Sequence, residues 1–131
     1  MKTEKAPEPS DSGGDIDSLA AAETRFWEIQ VEKGLKAALR EYAADSLRYY
    51  PPDAPPVVGA AAAVKAAAGK GWDIQTLGTS MSRAGDLGYT YGSSGFEEKK
   101  TSHKGGFLTI WRFHPSQGWR LVLFIADHKP V

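Results

Sequence analysis

A chain of 131 residues with 16 basic and 16 acidic side chains, formally neutral overall, has the length of one domain and carries no electrostatic footprint for nucleic acid or an anionic membrane surface. It holds no cysteine, which excludes thiolate metal sites, thiol nucleophiles and disulfides, and no apolar run approaches the roughly 20 residues that span a bilayer. A domain of this size buries roughly two thirds of the surface its unfolded chain exposes, so its core needs no covalent or metal staple.

Residues 1 to about 16 are dominated by charges, Pro, Ser and Gly. Such a segment cannot offset its ordering entropy by burial, and it is expected to be a disordered tail or tether ahead of a single domain over 17–131. It contains no apolar h-region of an export signal, and the compartment stays open: cytoplasmic, or exported if the tail follows a removed signal.

From Asp17 or Ser18, both good N-caps, Leu19, Ala22, Phe26 and Ile29 recur at helical spacing, and Glu23 near the start suits the helix dipole. Gly34 interrupts this pattern. Leu35, Ala38, Leu39 and Tyr42 then repeat at i, i+3, i+4 and i+7, which predicts a second short helix. Ser46 to Tyr50 reads as a brief strand stopped by Pro51 and Pro52, with Pro55 and Pro56 extending the loop. Gly59 opens an alanine-dominated helix over 60–68, which Gly69 and Gly71 end.

After Trp72 the composition shifts to Tyr, Phe, Trp, Thr and Ile, in segments near 73–83, 87–98, 105–114 and 118–127. Turn signals at 84–86 and 115–118 and a longer polar link from Glu97 to Gly105 separate them, which predicts an antiparallel meander. Helices first and strands afterwards make an α+β domain with its helices on one sheet face. On the last strand Trp119, Leu121, Leu123 and Ile125 alternate against Val122, Phe124 and Ala126, so both faces are apolar. One face covers the helices. The other needs a cover of its own, and a homodimer through the outer sheet face is the simplest.

Three strings carry a resemblance: Y-A-A-D-S-L-R-Y-Y-P-P (42–52), G-D-L-G-Y-T-Y-G (85–92) and G-F-L-T-I-W-R-F-H-P-S-Q-G-W-R-L-V-L (106–123). Together with the element order they resemble the nuclear transport factor 2-like superfamily, in its SnoaL-like branch of unknown function. The resemblance implies N-terminal helices packed on a strongly curved antiparallel sheet that forms a cone-shaped pocket. It does not imply one activity, because this fold hosts isomerases, dehydratases, cyclases, binding domains and adaptors.

In the ketosteroid-isomerase branch the general base stands immediately before the Pro that follows the first strand, and here that place holds Tyr50. SnoaL-like relatives often carry a polar or acidic residue on the last strand where this chain has Phe124. A phenol is mostly protonated at neutral pH and donates a hydrogen bond more readily than it takes a proton. Both replacements imply an apolar hollow without a carboxylate poised for proton transfer.

The leading expectation is therefore a domain that binds a small apolar or aromatic molecule, without cofactor or metal. Trp27, Tyr50, Met81, Tyr91, Trp111 and Phe124 are the expected ligand-binding residues; Tyr49, Trp72, Tyr89 and Trp119 complete an aromatic set that is largely core. An alternative is an isomerase or dehydratase-type lyase acting on a polyketide-like or steroid-like carbonyl compound, with Tyr50 as donor and Asp127 or His128 as acid/base. Those last two are strand neighbours that face opposite ways, which favours an ordinary strand end. A third reading fills the cone and makes the domain an oligomerising adaptor.

His103, His114 and His128 fall on a loop, a turn and a terminus, without the spacing of a metal-ligand set. Arg112 shares a face with Ile110 and His114, which places it on the surface, at a dimer edge or at the pocket entrance.

Overall fold

A computed structural model describes residues 14–52 and 54–131. The tail expected over residues 1–16 lies outside the described residues as far as residue 13. The described chain begins at Gly14, whose N–H donates to the Gly85 carbonyl at 2.7 Å.

Helix α1 (Ile16–Lys33) has its cap at Asp15, two residues before Asp17, the earlier of the two expected caps. Asp15 caps it by accepting from the Ser18 N–H, and Ser18 returns the bond to the Asp15 N–H, a reciprocal capping box. Gly34, at φ 99°, ends α1 and begins α2 (Leu35–Tyr42). A side chain is strained in that left-handed region, so the glycine makes the break between the helices. Strand β1 (Ala43–Tyr50) follows without a loop, then a two-residue strand β2 (Val57–Val58) that the sequence pattern does not announce, then α3 (Ala60–Ala66). The meander comprises β3 (Asp73–Met81), β4 (Leu87–Glu98), β5 (Thr101–His114) and β6 (Gly118–Pro130).

The six strands form one open sheet in the order β2-β1-β6-β5-β4-β3, and three helices pack against it. The antiparallel meander from β3 to β6 is present, but the sheet as a whole is mixed, because β1 runs parallel to β6. Between β1 and β6 the chain passes through β2 and α3 to β3 at the far edge of the sheet, and the meander then works back to place β6 beside β1.

Two expectations about the strands are corrected. The polar link over 97–105 is mostly strand: β4 and β5 stay paired out to Glu98↔Thr101, and a turn of two residues, Lys99 and Lys100, closes the hairpin at φ 51° and 67°. Two lysines carry none of the Asn-Gly chemistry that normally signals such a turn. On β6 the register shifts opposite Ile110 and Trp111, so the inward face passes from Trp119 and Leu121 to Phe124, Ala126 and His128. Leu123 and Ile125 thus face outward; a single extra residue reverses every side chain beyond it.

Helix α1 runs lengthwise over the concave face. At one end Trp119 Nε1 donates to Ser18 Oγ at 2.9 Å; at the other Gln30 Nε2 donates to the Trp72 carbonyl and its Oε1 accepts the Trp72 N–H, at 2.9 and 3.0 Å. Between them Phe26 is fully buried, edge-on to Trp27, Trp111 and Phe124. Tyr49 stacks on Phe124 at 5.0 Å. The depth of the curved sheet is therefore packed with rings in the offset and edge-to-face contacts that aromatic quadrupoles favour.

Candidate functional site

Beyond this packed interior, the concave face opens where β1 ends in Pro51 and Pro52 and where the segment after α3 leads into Trp72. A cavity of about 400 Å³ lies there, lined by Tyr49, Pro51, Pro52, Trp72, Phe96 and His103 among others. Its wall is a column of stacked rings that rises from the core: Trp27 on Trp72 at 6.2 Å, Trp72 on Phe96 at 5.8 Å, and Phe96 on His103 at 4.8 Å and nearly parallel. Cross-strand pairing sets the outer contact, since Phe96 lies directly opposite His103.

Behind the column lies a buried polar pair. His128, Gly105 and Ser94 are register partners across β6, β5 and β4. Ser94 Oγ and His128 Nε2 are in hydrogen-bond contact across the glycine. A methyl at Gly105 would run into the Asp127 carbonyl, so only glycine leaves the strands this close. The His128 ring meets Trp72 and Phe96 edge-on at 4.8 and 5.1 Å.

The interior also contains a carboxyl, which corrects the expectation of a hollow without one. Glu23 is 4% exposed and faces the sheet. Its Oε1 accepts from Thr109 Oγ1 at 2.8 Å and Trp111 Nε1 at 2.7 Å, and its Oε2 accepts from Trp27 Nε1 at 2.6 Å. Burial pushes its pKa above the usual glutamate value, and the bonds from Trp27, Thr109 and Trp111 pull it back in part. Glu23 also borders a cavity of about 490 Å³ between α1 and β3, with Trp27, Gln30, Trp72 and Thr76. Burial likewise raises the Tyr49 phenol, which stays protonated.

Of the residues expected to bind ligand, the fold brings Trp27, Trp111 and Phe124 together around Phe26. Met81 is half-buried at the end of β3, at the core's edge. Tyr50 and Tyr91 are exposed, on the convex face; the neighbouring Tyr49 points inward. Of the groups a catalytic reading would use, Asp127 is exposed and His128 is 1% exposed. His103 lies within β5 and His128 within β6, where a loop and a terminus were expected.

Glu23, Ser94 and Phe96 were missed. Glu23 shares the helical stripe of Leu19, Phe26 and Gln30, and Ser94 and Phe96 share the inward alternation of Thr90, so a stricter reading of period would have found them. Among the described residues no three His, Asp or Glu side chains gather as metal ligands, and no helix is long and apolar enough to cross a membrane.

An open six-stranded mixed sheet with three helices packed against it is the nuclear transport factor 2-like fold, and solved structures bear this out. A ketosteroid isomerase-like protein from Erwinia carotovora atroseptica superposes with a TM-score of 0.69 at 12% identity, over 86% of this chain and 95% of that one. A nuclear transport factor 2-like protein of unknown function from Shewanella oneidensis gives 0.66 at 10% identity, over 85% and 97%. An LEH-like epoxide hydrolase from M. tuberculosis gives 0.61 at 9% identity, over 86% and 79%. No family model and no curated protein matches the sequence. At such identities the likeness is one of fold.

Proposed function

We propose that this domain binds a small, flat apolar or aromatic molecule at the open end of its sheet. The observation that carries the reading is the stacked column Trp72–Phe96–His103, which presents ring surface to a cavity of about 400 Å³, within the usual range of small-molecule sites. The ligand sits at the mouth rather than deep in the cone, where Phe26, Trp27, Trp111 and Phe124 occupy the space. Binding needs no cofactor or metal. Native mass spectrometry of freshly purified protein is expected to show a retained organic molecule, and Phe96→Ala to release it. Protein that carries none and whose Trp fluorescence does not respond to aromatic compounds such as naphthalene derivatives would refute this reading in favour of a filled adaptor.

Glu23 favours a second reading, proton transfer on a carbonyl compound, with Glu23 taking the place in the mechanism expected of Asp127 or His128. Glu23 borders a cavity, and the placement of Tyr50 and Asp127 on the convex face removes them from the hollow. Solvent-deuterium incorporation beside the carbonyl of a cyclic ketone, abolished in Glu23→Ala, would support it; exchange at the same rate in both proteins would end it.

The domain is proposed to pair with a second copy through its convex face. Two cross-strand rows there are rich in apolar side chains: Tyr50–Ile125–Leu108–Tyr91, and Leu123–Ile110–Tyr89 with Arg48 at its outer, β1 end.

A further inference from the structure

At the β5–β6 hairpin end of the convex face, past these rows, Arg112 and Arg120 are direct cross-strand partners. Like charges directly opposite one another on a sheet repel. Arg120 is held in place: its Nη1 donates to the Glu41 carbonyl at the end of α2 at 2.6 Å and its Nη2 to the Gln117 carbonyl at 3.2 Å. Its Nε is buried and makes no hydrogen bond. Arg112 is exposed, and its guanidinium has neither an ion pair nor a hydrogen bond among the described residues.

His114 lies two residues beyond Arg112 on the same face. Its Nδ1 accepts from the Ser116 N–H at 3.3 Å, which leaves Nε2 as the ring's donor.

These groups surround a recess formed by the backbone. Strand β1 pairs with β6 at Ala43↔Leu121 and next at Arg48↔Leu123, so residues 44–47 of β1 bulge opposite Val122 alone. The resulting cavity, about 570 Å³, is lined by residues 43–46, Arg112, His114, Gln117, Arg120 and Val122. Its one carboxylate, Asp45, forms an ion pair with neither arginine among the described residues.

We propose that this recess is an oxyanion site of the phosphate type, in which the anion bridges Arg112 and Arg120 with His114 and Ser46 at its sides. An anion between the two guanidinium groups turns their repulsion into two charge-assisted contacts. Donors that approach from β1, β5 and β6 suit a tetrahedral anion better than a planar carboxylate, which one guanidinium fork can satisfy.

The experiment is calorimetric titration of the full chain with inorganic phosphate at low ionic strength, against wild type and Arg112→Gln. The Arg112 guanidinium has no hydrogen bond or ion pair to lose, so that variant is expected to keep its fold, whereas Arg120→Gln also frees the Glu41 carbonyl and is uninformative about binding. Saturable one-to-one binding that weakens at least about tenfold in Arg112→Gln is expected. Absence of saturable binding to wild type, or equal binding by the variant, overturns the proposal. The mouth cavity takes no part in this titration, so its outcome is independent of the ligand-binding reading above.

Discussion

Glu23 is the residue at which local and tertiary forces disagree most. As a glutamate in the second turn of a helix it belongs in water, yet two indole N–H groups and a threonine hydroxyl, all buried, converge on it. Indoles donate only, so a buried acceptor must meet them. Because burial holds the folded-state carboxyl above the usual value of about 4.3, its stabilising contribution is complete below that value and is lost as pH rises through the folded-state pKa. The stability of wild type relative to Glu23→Gln, from urea denaturation between pH 4 and 8, is therefore expected to fall as pH rises; a difference independent of pH would show a carboxyl that titrates alike folded and unfolded. Gly105 makes a second residue-scale case. Gly105→Ala should cost about 1–3 kcal/mol, the usual range for overpacking, and should separate Ser94 from His128. Chemical denaturation gives the first effect and the imidazole NMR shifts of His128 the second.

The elements themselves were mostly legible. The Gly34 break, the proline stop after Tyr50 and the meander follow from periodicity and turn chemistry acting over a few residues. What escaped was where strands end and which way they face, because both depend on a partner strand. The turn at Lys99–Lys100 illustrates it: pairing along β4 and β5 holds two lysines in a left-handed conformation that side chains disfavour by about 1–2 kcal/mol each. Replacing them with Asn-Gly should raise stability by about 1 kcal/mol or more, read from the urea midpoint at unchanged slope. The shift on β6 is of the same kind. Alternation predicts an unbroken face, and the bulge opposite Ile110 and Trp111 shifts Phe124 and His128 inward and Leu123 and Ile125 outward.

For the molecule as a whole, the bulge decides what the convex face offers to a partner. Ile125, Leu108 and Tyr91 lie in one row with Tyr50, and Tyr50 and Tyr91 are among the exposed large apolar side chains. A charge within such a row is costly once two copies bury it. Analytical ultracentrifugation is expected to find a dimer at micromolar concentration for wild type and a monomer for Tyr91→Lys; a monomeric wild type would overturn the proposed dimer. The concave face has its own whole-molecule property: Phe26, Trp111 and Phe124 pack against one another in the depth, whereas Tyr49, Trp72, Phe96 and His103 line the cavity at the mouth, where the proposed ligand would meet them.

By itself the sequence determined the helices, the meander, the α+β class and the aromatic character of the interior, because composition and short-range spacing govern each of these. Only the tertiary structure decided the parallel union of β1 with β6, the direction of Tyr49 against Tyr50, and the meeting of Glu23 with Trp111 or of Ser94 with His128. Those contacts join residues from 34 to 88 positions apart, and the register that joins them is set by bulges and by packing across the sheet, to which a local pattern is blind.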